Sequence, residues 1–194
     1  MGIANLITVV RGLMAAGVWA VAGVAEQGGP DWWWLAFGLF VFTAATDVVD
    51  GWIARSRGEV SVFGRIADPL VDKLLVLGTM AVLVSLPGVR EVLPAWVVLL
   101  VLARELVVTG LRAAVEGNGH SFQATAAGKL KMLAQCVALG AVLMHQAGVG
   151  FLRVPQGWLG GAPLTLAFVL AGALVTAVSL LEYLVRATRL LAAR

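Results

Sequence analysis

Six stretches of roughly twenty apolar residues, at about 4–25, 32–54, 67–86, 92–115, 124–147 and 164–187, leave this chain little from which to build a soluble module. A helix that crosses the hydrocarbon core needs about 20 mainly apolar residues, and each stretch meets that length. With 60% of its 194 residues hydrophobic and 13% charged, the chain is far more apolar than an average globular domain. The expected fold class is all-α: a single domain over 1–194, an integral membrane protein with six transmembrane helices. The first stretch is expected to be a retained helix, because Met1 to Leu6 carry no basic side chain and no small-residue cleavage site follows the apolar run.

The net charge of +3 does not point to nucleic acid, since the basic residues are scattered at helix ends with no stripe of interleaved aromatics. Their distribution reports orientation. With the N-terminus inside, Arg11, Arg55, Arg57, Arg65, Lys73, Arg104, Arg112, Lys129, Lys131, Arg186, Arg189 and Arg194 fall on the inner half, and Arg90 and Arg153 outside. The positive-inside rule then places both termini in the cytoplasm, and Trp32, Trp33, Trp34, Trp96 and Trp158 at or near the outer interface. Cys136, the one cysteine, excludes an internal disulfide and is expected to be a small buried thiol, which says nothing about chemistry. His120 and His145 are expected in a loop and at a helix end.

Against this apolar background the spacing Asp47-x2-Asp50-Gly51-x2-Ala54-Arg55-x8-Gly64-x3-Asp68-x3-Asp72 stands out, because it gathers four of the chain's eleven acidic residues. Intramembrane carboxylates are costly and mark function. Asp47, Asp50, Gly51 and Ala54 share one face of the second helix, so two carboxylates lie beside two small residues that allow close approach. Arg55 follows at the helix end, suited to a phosphate oxygen. Ser56 to Phe63 read as the inner turn, with Pro69 in the first turn of the third helix, where its missing N–H costs nothing. Asp68 and Asp72, four apart, complete a pocket near the cytoplasmic interface.

Four adjacent carboxylates repel unless cations compensate, and Arg55 and Lys73 offset only part of that charge. Hard divalent ions prefer carboxylate oxygen, so one or two Mg²⁺ or Mn²⁺ ions are expected; without His or Cys in the cluster, zinc does not fit. Ions held in this way also bind substrate phosphates and neutralise charge on a leaving oxygen.

At about 5% usage per position, a chance match to all eight fixed residues is on the order of 10⁻¹⁰ per start site. The run resembles the signature of the CDP-alcohol phosphatidyltransferases. The resemblance implies a six-helix membrane enzyme, commonly a homodimer, dependent on Mg²⁺ or Mn²⁺, in which a hydroxyl attacks the β-phosphate of a CDP-linked lipid and CMP leaves. By position, it implies Asp47, Asp50, Asp68 and Asp72 as metal ligands, Asp72 also as general base, Gly51, Ala54 and Gly64 as room for the cytidine, and Arg55 as a diphosphate contact.

Three further stretches, Asn5 to Arg11, Ala103 to Arg112 and Gly128 to Lys131, resemble the phosphatidylglycerophosphate synthases within that family. They imply CDP-diacylglycerol as donor and glycerol 3-phosphate as acceptor, with the active site on the cytoplasmic face of a bacterial inner membrane. A phosphorylated acceptor needs its own cations, and Arg104, Arg112, Lys129 and Lys131 supply them at the inner ends of helices four and five. Arg104 lies within an apolar helix and requires a partner, for which Glu105 is adjacent. Asn5, Thr8 and Arg11 recur at helical spacing and can face the pocket; Arg186 is a further candidate, whereas Arg189 suits solvent or anionic lipid.

Serine, inositol phosphate or phosphatidylglycerol are alternative acceptors. A carboxylate-lined transporter would not require the Gly/Ala/Arg pattern and would be expected to show interrupted segments repeated between halves. An intramembrane prenyltransferase also uses aspartates and Mg²⁺, with acidic motifs of different spacing.

Overall fold

The computed structural model describes residues 3–57, 62–119, 126–153 and 162–192, with the backbone alone at 3–5, 47–57, 62–66, 68, 126–127 and 129. The described residues are almost entirely helical. Helix α1 spans Ile3–Gly28 and α2 Pro30–Arg57; α3, Val62–Lys73, runs through a π-helical turn, Leu74–Gly78, into α4, Thr79–Ser85. After a short 3₁₀ turn at Pro87–Val89 come α5, Ala95–Gly117, α6, Ala126–Gln146, the short α7, Gly150–Arg153, and α8, Leu164–Ala192.

The α1–α2 connection is a single residue. Gly29 adopts φ +88°, a left-handed conformation open to glycine at no steric cost, and its N–H donates to the Ala25 carbonyl. Pro30 then opens α2 with φ preset for a helix. The buried face of α1 carries Ala15, Val18, Ala22 and Ala25, three or four residues apart, and these small side chains let α2 pack closely against it.

Several polar groups face inward and many large apolar groups outward. Arg11, Thr43, Arg104, Glu105, Gln135 and Ser179 are buried, while Leu13, Leu99, Leu106, Leu133, Leu174 and Leu181 are each more than 60% exposed. That arrangement suits lipid and would be unstable in water. Among the described residues, Leu6–Gly28 and Leu164–Ala192 are long and apolar enough to cross a membrane, and Leu130–Gln146 is a shorter apolar helix. Between α6 and α8, Gln135 Nε2 donates to Thr176 Oγ1 at 3.0 Å, and that hydroxyl donates to the Gly172 carbonyl at 2.8 Å, so a buried amide and hydroxyl satisfy each other.

Three expectations are corrected. Pro69 sits well inside α3 instead of in its first turn, because the helix begins at Val62; α2 likewise continues to Arg57 and shortens the inner turn from its N-terminal side. Trp33 is 5% exposed and belongs to the core, since at its place on α2 it shares the inward face with Ala36 and Phe40; Trp32, Trp34 and Trp96 are exposed, and Trp158 lies outside the described residues. Cys136 is half-buried, because its face of α6 borders a cavity.

Candidate active site

The acidic motif is divided between two successive helices. Asp47, Asp50, Gly51, Ala54 and Arg55 lie on the last turns of α2, with Gly64, Asp68 and Asp72 on α3, and both helices belong to the group around α1. The side chains of Asp47, Asp50, Arg55 and Asp68 lie outside the described residues. Among the described side chains no group of three His, Cys, Asp or Glu forms. The motif's donors are all carboxylate oxygens, in pairs one helical turn apart, which is the chemistry a hard divalent cation accepts.

Asp72 is the described member of this set. Its Oδ1 lies 3.3 Å from Nη2 of Arg11, whose side chain is 2% exposed on α1. Thr8, one turn before Arg11, is also buried, so the first helix does turn this polar face inward; Asn5 shares the spacing, but its side chain lies outside the described residues.

Beside the motif, a cavity of about 1000 Å³ opens between α2, α3, α5, α6, α7 and α8. Ala44 and Ala45, just before Asp47, and Pro69 and Lys73, flanking Asp68 and Asp72, form part of its wall. Lys73, Arg104, Glu105, Thr109 and Arg112 make one end polar; Phe37, Met144, Phe151 and Phe168 make the far end apolar. Along α6 the wall extends from Gly128 to Met144, about 24 Å at 1.5 Å per residue. Exposed Val41, Leu133 and Val137 border it, so its side is open between helices. Such a shape accommodates an amphiphile with a charged head and an apolar tail.

The polar end is cross-linked. Arg104 Nη1 donates to Glu105 Oε1 at 2.9 Å, its Nη2 donates to Ser179 Oγ on α8 at 2.7 Å, and its guanidinium lies 5.2 Å from the centre of the Tyr183 ring. Lys131 of α6 donates to the same Glu105 oxygen. Arg104 Nε is buried without a hydrogen-bond partner, which leaves one donor of a buried cation for something else. Lys73 Nζ donates to Thr109 Oγ1 at 2.8 Å, and Thr109 donates to the Glu105 carbonyl at 2.7 Å.

Of the four cations assigned to an acceptor phosphate, Arg104 and Arg112 line the cavity, the Lys129 side chain lies outside the described residues, and Lys131 is buried, held by Glu105, and not among the described lining residues. Arg104 does pair with Glu105, as its place in an apolar helix demands. Arg186 is half-buried on α8, three residues beyond Tyr183, and Arg189 is exposed. His145 ends α6, with its Nδ1 3.0 Å from Thr165 Oγ1; His120 lies outside the described residues.

Sequence reasoning missed Ser179 and Tyr183. Thr176, Ser179 and Tyr183 recur at three and four residues on the buried face of α8, a polar stripe that marked this helix face.

The model of the CDP-alcohol phosphatidyltransferase family matches residues 1–191. A Bacillus subtilis protein named CDP-diacylglycerol–glycerol-3-phosphate 3-phosphatidyltransferase is 42% identical over 117 residues, covering 60% of this chain and 58% of that protein. A Cereibacter sphaeroides protein of the same name is 34% identical over 155 residues, 76% of this chain and 67% of its own. A Mycobacterium tuberculosis protein named probable phosphatidylglycerophosphate synthase is 35% identical over 158 residues, 80% of this chain and 66% of its own. The chain thus spans about three fifths to two thirds of the length of these relatives.

Proposed function

We propose, since this chain belongs to the CDP-alcohol phosphatidyltransferase family, that it transfers the phosphatidyl group of CDP-diacylglycerol to glycerol 3-phosphate, giving phosphatidylglycerol phosphate and CMP. The observation that carries the choice of acceptor is the buried Arg104, with one unpartnered donor, in the wall of a cavity that also presents Lys73 and Arg112 beside the acidic motif. A phosphate dianion is the acceptor group such cations favour. The relatives' names support the same substrates.

In this reading the diacylglycerol chains lie in the apolar part of the cavity, entering sideways past Leu133 and Val137. The cytidine diphosphate reaches the ends of α2 and α3, with Gly51, Ala54 and Gly64 as room for the nucleotide and Arg55 on the diphosphate. Asp47, Asp50, Asp68 and Asp72 would hold one or two Mg²⁺ or Mn²⁺ ions, which supply charge neutralisation on the diphosphate. Asp72 takes the proton of the acceptor hydroxyl as its oxygen attacks the β-phosphate, and the bond to CMP breaks. Arg11 orients the Asp72 carboxylate. Arg104 and Arg112, with Lys129, hold the acceptor phosphate, and Lys131 contributes through its ion pair with Glu105.

The same reading includes six membrane spans, both termini and the active site on the cytoplasmic side of a bacterial inner membrane, one family domain over the chain, and a homodimer. The inward polar and outward apolar surfaces support the membrane setting. The test supplies purified protein with CDP-diacylglycerol, Mg²⁺ and, separately, glycerol 3-phosphate, serine, inositol phosphate or phosphatidylglycerol, and follows CMP. Release with glycerol 3-phosphate alone is expected; release only with another acceptor overturns the choice.

A further inference from the structure

Three ionised groups meet at the polar end of the cavity, and they do not stand in equivalent places. Arg104 and Glu105 belong to the cavity wall, whereas Lys131 is buried and reaches the site only through the Glu105 carboxylate. Glu105 Oε1 accepts from both cations. If Glu105 faced Arg104 alone, the pair would be neutral and the guanidinium would have little charge left for an incoming anion. Two cations on one carboxylate leave a net positive charge.

We propose that Lys131 is a positioning residue and not a phosphate ligand: it neutralises Glu105, so that Arg104, fixed by Ser179 and Tyr183, presents its charge to the acceptor phosphate. This rests on the reading that Arg104 meets that phosphate. Glu105 has two tasks. It holds the guanidinium in one orientation, and it gives the buried ammonium a partner without which burial would be prohibitive. The arrangement couples Lys131 to the site through charge and not through contact with the acceptor.

A direct ligand and a counter-ion acting through Glu105 respond differently to removal of the acid. Lys131→Met leaves the Glu105 carboxylate to compete with phosphate for Arg104, and the KM for glycerol 3-phosphate is expected to rise about tenfold or more, the loss of one charge-assisted interaction. In Glu105→Gln that competition is gone. The double variant Glu105→Gln/Lys131→Met is therefore expected to bind the acceptor better than Lys131→Met alone and within about twofold of Glu105→Gln, a coupling that only interacting residues show. The KM for CDP-diacylglycerol stays unchanged throughout.

The experiment measures CMP release by the full chain in lipid nanodiscs, with wild type, both single variants and the double. If Lys131 touches phosphate directly, Lys131→Met raises the acceptor KM about tenfold in the Glu105→Gln background as well, and the proposal is overturned. Should either single variant fail to fold because its partner charge is left buried and unpaired, the double variant, which contains neither charge, is compared with wild type: an acceptor KM within about threefold of wild type supports the proposal, and a rise of about tenfold or more overturns it. Wild type that releases no CMP with glycerol 3-phosphate overturns the acceptor reading itself, an outcome distinct from an active wild type with additive variants.

Discussion

Arg11 on α1 and Asp72 on α3 meet in an ion pair of 3.3 Å, with the arginine side chain 2% exposed and the aspartate 25% exposed. The pair ties the first helix to the last carboxylate of the acidic motif, so the candidate base is held by an element outside that motif. A buried guanidinium has few ways to be satisfied, and the direction of its partner is fixed accordingly.

Replacing Arg11 by methionine leaves Asp72 without this cation. The expected loss is about 1–3 kcal/mol of stability, below the ~3–5 kcal/mol typical when a fully buried pair is broken, because Asp72 is partly exposed. Arg11→Lys keeps the charge and should retain most of that stability. Thermal unfolding in lipid nanodiscs checks both, and unchanged unfolding in Arg11→Met would remove the pair from the account.

Asp72→Asn preserves shape but cannot accept the hydroxyl proton. Turnover should fall by about 10²–10⁴, the usual contribution of a general base, while CDP-diacylglycerol remains bound. Single-turnover CMP release together with nucleotide-lipid binding separates the two. Near-normal turnover would deny Asp72 its role.

Ser179→Ala removes the hydroxyl that accepts from Arg104 Nη2 without touching Glu105. A lost hydrogen bond to a charged group costs about 1.5–3 kcal/mol, so the acceptor KM should rise between about tenfold and a hundredfold with little change in the donor KM. An equal change in both KM values would show that Ser179 supports the fold in general.

Gly78 closes the π-helical turn after the motif, and a methyl group there would land on the six-membered ring of Trp19. A rigid indole cannot move aside as a flexible chain end can. Gly78→Ala is expected to destabilise by about 1–3 kcal/mol, the usual cost of overpacking. In a Trp19→Leu background the same change should cost much less, and equal costs in both backgrounds would refute the close approach.

Helix positions and the acidic motif were legible because both depend on local spacing. The inward faces were not. On α5, Val97, Val101 and Val108 are buried and Leu99, Leu102 and Leu106 exposed, yet all are apolar. Where lipid replaces water, an outward leucine costs nothing, and the hydrophobic period that reveals a soluble helix loses contrast. Polar residues carry the information instead, and the stripe at Thr176, Ser179 and Tyr183 held it.

Pairing across the bundle was the other gap. Arg104 and Glu105 are neighbours in sequence, so their bond could be anticipated; Lys131 and Ser179 are 26 and 75 residues from their partners, and nothing local reports such contacts. For that reason the engagement of the Lys131 ammonium by Glu105 was not legible in the sequence. Pro69 misled for a different reason: proline favours a first turn, but α3 already begins at Val62, seven residues before it.

The chemistry itself is tested most directly by identifying the lipid product. Purified protein in nanodiscs, given CDP-diacylglycerol, glycerol 3-phosphate and Mg²⁺, is predicted to form phosphatidylglycerol phosphate, seen by mass spectrometry, in equal amount to CMP. CMP without that lipid, or neither product from folded protein, would contradict the account.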